Sequence, residues 1–291
     1  HLLPDFAPMT MIYRTRYHQD ETIQQPLANW LRQRGVNFHV NAKVRDVDFI
    51  PSLDEITAQR LDVEIDGKPK SIDVGSGDIV IVTNGSQIGD VAVGSMTSPA
   101  KMELTGESWR LWDTLARGRP GFGNPRVFFG EPGECLCLMF TVTSTDAAFC
   151  DRFEIFTGNP TGRQGLVTFT ASNWLLTIVT FHQPHFMAQP DGVQVWWGYG
   201  IYPDKLGNLI KKPMKECSGE EILREVLHHL RFDDIAEKVE QRSICIPCLI
   251  PEANSLWAVR ERKDRPLPVP KGSTNFGFMG QFTEVAADAV F

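Results

Sequence analysis

The amino-acid sequence predicts a mixed α/β fold of the α+β class, with one α/β lobe and one β-rich lobe. Two observations support this prediction. In the first hundred residues, a segment with helical spacing is followed by short apolar stretches with strand spacing. From 126 to 200 the chain is rich in Phe, Trp, Thr and Val, and strand-like stretches follow one another. With 291 residues, 42% of them hydrophobic, the chain is long enough for two lobes with a sizeable core.

The first lobe begins with a predicted helix over 20–34, after which Gly35 has the C′ position. Alternating apolar residues predict a strand, a turn and a strand over 35–49, and two more strands flank Asp66-Gly67. The run Ile-Val-Ile-Val at 79–82 predicts a short buried strand that leads into a polar turn. This order is typical of the second half of a nucleotide-binding α/β unit, although no G-x-G-x-x-G turn precedes it.

The second lobe follows a predicted linker at 91–103, a helix at 107–117 and a loop at 118–125. Ser218 and Glu221 predict a capping box for a helix that ends near Leu230. The proline-rich segment 245–272 predicts an ordered crossover, and 274–282 a strand that ends in a glycine turn. Strands are predicted between these helices in the stretches CLCLMFTVT, RFEIFT, GLVTFT, WLLTIVTF and VQVWWGYG.

Composition argues against several classes of protein. The net charge of −7 is unlike that of a general nucleic-acid binder, and no apolar run reaches the ~20 residues of a membrane span. The N-terminus has no signal-peptide pattern, and a start at His1 rather than at Met predicts a segment of a longer polypeptide.

The six cysteines are too sparse for a disulfide scaffold, which favours a reducing compartment. Two close pairs, Cys135 with Cys137 and Cys245 with Cys248, could in principle bind zinc. The C-x-C spacing is poor for such a site. We therefore predict buried thiols and no metal.

Only a few polar residues in the apolar stretches are candidates for contacting a ligand. His182 and His185 follow a hydrophobic strand, where histidine is more often a packing residue. The functional interpretation places His185 at the mouth of an apolar cavity, where it binds a carboxylate. Tyr199 is either a packing aromatic or faces a ligand. The sequence shows no Ser/His/Asp order, paired carboxylates or Gly-Lys-Ser loop.

A set of motifs in a specific order carries a family resemblance. They are RTRYHQDET, ESWRLWDTLA, GNPRVF, GLVTFTASNWLLTIV, QPHF, VQVWWGYGIYPDKLGN, KKPMKECSGEEIL, IPC and DRPLPVPKGSTNFGFMGQF. From about residue 14 to its end, the chain resembles the oleate hydratases, also called the myosin-cross-reactive antigen family. The resemblance implies a flavoprotein lyase that adds water across a cis double bond of an unsaturated fatty acid, as in oleate to 10-hydroxystearate.

The resemblance also implies a domain organisation. It predicts an incomplete FAD-binding fold of the glutathione-reductase type, with 1–100 and 246–291 in the FAD lobe and 101–245 in the fatty acid lobe. The catalytic Glu and Tyr of the family are expected upstream of His1, so we assign no catalytic residue here. The residues expected to contact FAD are Val44, Thr83, Asn84, Gly85, Ser86, Ser273, Asn275, Gly280 and Gln281.

The fatty acid contacts that the resemblance implies are Gln19, Asn173, Val179, Phe181, His185 and Tyr199. Val179 and Phe181 stand where the family has Thr and Asn, so two polar groups of the usual carboxylate pocket are lost. His182, beside the changed position, is an additional candidate donor. We expect these donors to converge at one end of a long apolar cavity.

The implied partner is an unsaturated fatty acid, with no nucleic acid. The resemblance further implies a homodimer at full length and a cytoplasmic location with peripheral membrane contact. Two alternatives stay open: a flavin oxidoreductase of the amine-oxidase or desaturase type, and a non-catalytic lipid-binding protein. The order of the motifs favours the hydratase.

Overall fold

A computed structural model describes residues 14–163 and 166–284. The two termini, 1–13 and 285–291, lie outside the described residues. So does residue 165, where the predicted GLVTFT strand starts. The helices described are α1 (Gln25–Arg32, preceded by a π turn at Asp20–Gln24), α2 (Glu107–Ala116), α3 (Arg126–Phe129), α4 (Pro132–Cys135), α5 (Ala148–Thr157), α6 (Gly219–Leu230) and α7 (Ala236–Arg242). The strands described are β1 (Ala42–Phe49), β2 (Ala58–Ile65), β3 (Lys68–Asp73), β4 (Val80–Thr83), β5 (Ala92–Val93), β6 (Cys137–Ser144), β7 (Val167–Thr168), β8 (Leu176–Thr180), β9 (Gln194–Gly200), β10 (Ser243–Ile250) and β11 (Phe276–Met279).

The described residues form two compact units. Unit 1 contains 14–36, 91–102 and 137–250, and unit 2 contains 37–90, 103–136 and 251–284. These boundaries differ from the predicted ones, because α1 belongs to unit 1 and the segment 103–136 belongs to unit 2. The assignment of an FAD lobe and a fatty acid lobe stays a prediction.

Unit 2 contains a three-stranded antiparallel sheet in the order β1-β2-β3. The tight turn between β2 and β3 is confirmed, since Asp66 and Gly67 both have positive φ, 50° and 73°. The strand predicted at 36–40 is wrong. That segment is exposed and forms no strand, because no neighbouring strand pairs with it.

Unit 2 also contains a parallel pair, β4 with β11. The strand near 79–82 is confirmed, but its predicted burial is wrong: Val82 is buried, whereas Ile81 is 57% exposed. Only one face of the pair packs on the aromatic core of this unit, so alternate side chains point away from it. That core contains Val47, Ala58, Val82, Trp109, Trp112, Leu115, Phe122, Phe128, Phe276, Phe278 and Phe282.

Unit 1 is built on a six-stranded sheet in the order β5-β10-β6-β9-β8-β7, in which neighbouring strands are antiparallel. Helices cover one face, where Phe149 of α5 stacks on Trp196 of β9 at 3.9 Å. The predicted strand RFEIFT is wrong, because it lies in α5. Phe149 and Phe153 are one helical turn apart and both are buried, so tertiary packing overrides the strand propensity of the Phe residues.

The start of the predicted crossover 245–272 is also corrected, since β10 extends to Ile250 and contains Pro247. The Pro247 carbonyl accepts a hydrogen bond from the Gly94 N–H at 2.8 Å, just beyond the short strand β5. In an antiparallel ladder, the N–H and C=O of one residue face the same neighbour. The missing proline N–H therefore costs no hydrogen bond to β6. Among the described helices, none is long and apolar enough to cross a membrane.

Candidate functional site

The face of the six-stranded sheet opposite its helices carries two of the six predicted fatty acid contacts, Val179 and Tyr199. In the register of β8 and β9, Val179 lies opposite Trp197 and Thr177 lies opposite Tyr199. Because side chains alternate along a strand, these four residues share one face. The same face is partly uncovered at its other end, where Ile244 of β10 is 56% exposed. An apolar face that changes from buried to open suits an elongated apolar ligand.

Aromatic rings continue this face beyond the end of β8. Phe181 stacks on His185, with ring centroids 3.8 Å apart, and lies 6.5 Å from the ring of Trp197. Trp197 is 5.7 Å from Tyr199, so Tyr199 is connected to His185 through two intervening rings. We name this set the aromatic row; it comprises His18, Phe181, His185, Phe186, Trp197 and Tyr199.

His185 is the most buried polar residue of the aromatic row, with 7% exposure. Its Nδ1 is buried and has no hydrogen-bond partner among the described residues. Burial lowers the pKa of His185, the charge of His18 lowers it further, and Glu21 acts in the opposite direction. The ring is therefore neutral near pH 7, with one N–H donor and one acceptor nitrogen. A buried polar atom without a partner is costly, which makes this ring a candidate ligand contact.

The structure brings most of the predicted fatty acid contacts to this region, but not all of them. Gln19 is exposed and follows His18, whose N–H donates to the His185 carbonyl at 2.8 Å. Asn173 lies apart, beyond the opposite end of β8. Its side-chain amide donates to the Leu206 carbonyl at 3.1 Å, so it holds a neighbouring loop.

Three arginines at the end of β8 were not predicted as site residues. The Arg14 guanidinium donates to the Thr180 carbonyl at 3.1 Å. Burial lowers the pKa of His182, and the charges of Arg163, Arg16 and Arg14 lower it further. We name these four residues, Arg14, Arg16, Arg163 and His182, the cationic cluster. Arg163 could not be predicted from local sequence, because it is distant along the chain from the RTR stretch.

The second candidate region lies in unit 2, where β4 and β11 end side by side. The Asn84 N–H donates to the Met279 carbonyl at 3.4 Å, so the predicted segments 83–86 and 280–281 are adjacent. Ligands commonly bind at the carboxyl ends of parallel strands. Thr83, Gly280 and Gln281 are exposed there. Gly280 has φ +108°, which favours glycine and leaves the backbone uncovered.

Several polar side chains predicted to contact a cofactor are already used by the fold. The Asn84 amide donates to the Phe282 carbonyl and accepts from the Thr283 hydroxyl, both at 3.2 Å. Asn275 bonds both the N–H and the carbonyl of Ala58, at 2.7 and 2.9 Å. These two amides therefore act as internal links within the fold, and the Asn275 carbonyl also accepts from the Val80 N–H.

The remaining predicted cofactor residues divide by position. Ser273 caps its own turn, since its hydroxyl accepts from the Phe276 N–H at 3.1 Å before β11 begins. Val44 is half-buried in β1, opposite Val63 in the three-stranded sheet. Ser86 lies in the 83–86 turn, and its hydroxyl accepts from the Ile88 N–H at 3.3 Å. Neither Ser273 nor Val44 belongs to the group at the carboxyl ends of β4 and β11.

Gly85 is explained by packing within unit 2. A Cβ at this position would lie 2.6 Å from the Trp109 ring and 2.8 Å from Phe282, and φ is +71°. Its lack of a side chain is therefore required by the aromatic core, whether or not a ligand approaches.

A buried carboxyl near this turn was also missed. Glu252 is 2% exposed and accepts a hydrogen bond from the Trp109 indole N–H. Burial raises the pKa of Glu252 to about 7, against the effect of the Trp109 hydrogen bond, and the charge of Asp90 raises it further. The Glu252 carboxyl therefore gains or loses its proton near pH 7.

The cysteines show no sign of activation. Burial raises the pKa of Cys137 to about 11 and that of Cys217 to about 12, so both are neutral thiols at pH 7. In the part of the chain that the structure describes, no group of three or more His, Cys, Asp or Glu side chains could hold a metal ion.

Comparison with known proteins places these features in a family. A model of the MCRA family matches residues 1–291. The chain is 32% identical over 300 residues to the oleate hydratase of Streptococcus pyogenes serotype M49 (strain NZ131), covering 99% of this chain and 50% of that protein. It is 31% identical over 303 residues to the linoleate hydratase of Lactiplantibacillus plantarum, covering 96% of this chain and 53% of that protein. The chain thus spans about half the length of these relatives. It belongs to the MCRA family and is a member of the oleate hydratase family.

Proposed function

We propose that the protein, at its natural length, is an FAD-dependent fatty acid hydratase. Water adds across a cis double bond of an unsaturated fatty acid, so that one carbon gains H and the other gains OH. The relatives named oleate hydratase and linoleate hydratase support this class of reaction, a hydro-lyase reaction. The observation that carries the proposal is the buried Nδ1 of His185, which has no partner within the described residues and lies in an aromatic row.

The chemistry of this face fits a fatty acid. Val179 is itself buried, but Trp197 is half-buried and Ile244 is exposed on the same face, so these two offer apolar surface. An acyl chain gains about 0.8 kcal/mol for each CH₂ that it buries. A carboxylate in such surroundings needs hydrogen-bond donors, because an isolated buried charge is costly. The neutral imidazole of His185 can supply one donor. We therefore assign the acyl chain to the sheet face and the carboxylate to the His185 end of the aromatic row.

The carboxyl ends of β4 and β11 are the proposed FAD contact of this chain. Thr83 and Gln281 are exposed there, and Gly280 leaves its backbone open to a flat group. The Asn84 amide holds the fold at this edge, so we assign it no side-chain contact with FAD. Asn275 lies before β11 begins, where its amide links to Ala58. When bound, FAD supplies order and local charge rather than electrons, because hydration is not a net redox reaction.

Within this proposal the chain binds and orients the fatty acid and excludes water from the acyl chain. We assign neither the general acid nor the general base to the residues of this chain. A homodimer and peripheral membrane contact stay predictions.

The test replaces His185 by Ala in the protein at its natural length. The loss of a hydrogen bond to a charged group, about 1.5–3 kcal/mol, is expected to raise KM for oleate by about ten- to a hundredfold. KM for methyl oleate, which has no charge to anchor, should change little. His228→Ala, an exposed histidine on α6, is the control and should leave both values unchanged. Equal losses on acid and ester would make His185 a packing residue.

A further inference from the structure

We propose that the cationic cluster binds the carboxylate of the fatty acid, as the anchor that compensates for the polar groups lost at Val179 and Phe181. Arg16 and Arg163 contact the head group, and Arg14 and His182 position them at the end of β8. This inference deepens the proposed function and rests on it. It predicts a site selective for long-chain anions over neutral lipids of the same length.

The first wall of the cluster is the segment 14–18, which runs beside the chain that leaves β8. The Arg14 guanidinium donates to the Thr180 carbonyl at 3.1 Å, and the His18 N–H donates to the His185 carbonyl at 2.8 Å. Arg16 lies between these two attachment points and is exposed. These contacts on both sides of Arg16 hold the segment beside the end of β8, where the charge of Arg16 acts on His182.

The second wall is the turn at 161–163. The Gly162 N–H donates to the Thr180 hydroxyl at 3.4 Å. A Cβ on Gly162 would lie 2.4 Å from the His182 backbone nitrogen, so only glycine lets the turn approach this closely. The contact brings Arg163, whose side chain is exposed, to the same strand end as Arg14.

The electrostatics of this strand end favour an anion. Burial is the main cause that lowers the pKa of His182, and the three guanidinium charges lower it further, as like charges do. The nearby carboxylates have other partners: Glu154 accepts from the Thr161 N–H, and Glu21 accepts from the Met187 N–H at 3.0 Å. A guanidinium matches a carboxylate with two parallel N–H donors, so the cluster offers strong charge-assisted bonds.

The position of the cluster next to the aromatic row defines the orientation of the ligand. Phe181 follows Thr180 directly, and its ring covers His185 at 3.8 Å. The head group therefore lies at the cluster, with the buried His185 behind it, and the acyl chain extends past Trp197 and Tyr199. The substitution of Asn by Phe at 181 removes one donor but adds apolar surface beside the cationic groups.

The experiment measures equilibrium binding of radiolabelled oleate and radiolabelled oleyl alcohol to the protein at its natural length, below micelle concentrations. The variant is the double substitution Arg16→Gln and Arg163→Gln. Arg262→Gln with Lys263→Gln, two highly exposed cations in unit 2, is the charge-matched control. The double variant is expected to raise Kd for oleate about tenfold or more and to change Kd for the alcohol less than about twofold. The Arg16→Lys with Arg163→Lys variant should recover part of the oleate affinity.

Three results would overturn the inference. The first is unchanged oleate binding by the Gln variant, or an equal loss in the matched control. The second is an equal loss for oleate and oleyl alcohol. The third is weaker binding to phosphatidylglycerol vesicles with oleate binding intact, which would assign the cluster to a membrane surface. If the wild-type protein binds neither oleate nor the alcohol, the proposed function itself fails. If it hydrates oleate and the Gln variant binds normally, only the inference fails.

Discussion

The replacement of Glu225 by Ala is expected to lower the free energy of unfolding of unit 1 by about 3–5 kcal/mol. Glu225 is fully buried on α6, and its carboxylate accepts hydrogen bonds from the N–H groups of Asn208, Leu209 and Ile210 at 2.6, 2.9 and 2.7 Å. The His229 ring lies 3.2 Å from the same carboxylate. The substitution leaves these N–H donors without their buried acceptor.

The charge of Glu225 is retained in the folded state. Burial alone would raise its pKa, but the hydrogen bonds from His229 and the three N–H groups outweigh burial and hold the pKa below its usual value. A lowered folded-state pKa stabilises the protein above the unfolded pKa, and this stability is lost as the pH falls through the folded value. The full cost of the substitution should therefore appear at pH 7.

Urea unfolding followed by tryptophan fluorescence measures this effect at pH 7. Glu220→Ala is the matched control, because Glu220 is on the same helix and its side chain is 43% exposed in an ion pair with Arg224. It should change stability by less than about 1 kcal/mol. A loss at Glu225 as small as that at Glu220 would show that the buried carboxylate does not hold the loop.

The second large effect is a pH dependence that Glu252→Gln removes. The folded-state pKa of Glu252 is raised from 4.5 to about 7, so the unfolded chain loses this proton at lower pH than the folded protein. The free energy of unfolding of unit 2 should therefore fall as the pH rises from about 4.5 to about 7, by roughly 3 kcal/mol in total, and level off above. Gln keeps an acceptor for the Trp109 indole and has no proton to lose.

The measurement is the urea midpoint of wild type and Glu252→Gln between pH 5 and 8. The variant should resemble wild type at pH 5, be more stable at pH 8, and lack most of the slope between them. Glu134→Gln, an exposed glutamate in unit 2, should keep the wild-type slope. An unchanged slope in Glu252→Gln would assign the pH dependence to other groups.

Local signals predicted the elements that local chemistry determines. The capping box of Ser218 and Glu221 forms as expected, and so does the turn at Asp66-Gly67. Prediction failed where distant packing decides. The Phe-rich stretch 152–157 is helical because Phe153 packs within the core of unit 1.

The candidate sites follow the same division. The position of His185 beside an apolar strand could be predicted from neighbouring residues alone. The partners of Asn84 and Asn275 could not, because Phe282 and Ala58 are distant in sequence. The link between Arg14 and Thr180 likewise joins residues far apart along the chain, so the cationic cluster has no sequence signal of its own.

The most direct test of the proposed function is the incubation of the natural-length protein with FAD and oleate in ¹⁸O-labelled water. The proposal predicts a hydroxy fatty acid that carries one ¹⁸O atom, with the flavin spectrum returning to its starting state and no external reductant or oxidant consumed. Two results would contradict it. Flavin bleaching on addition of oleate without reductant would indicate an oxidoreductase. Saturable oleate binding with no labelled product would indicate a lipid-binding protein.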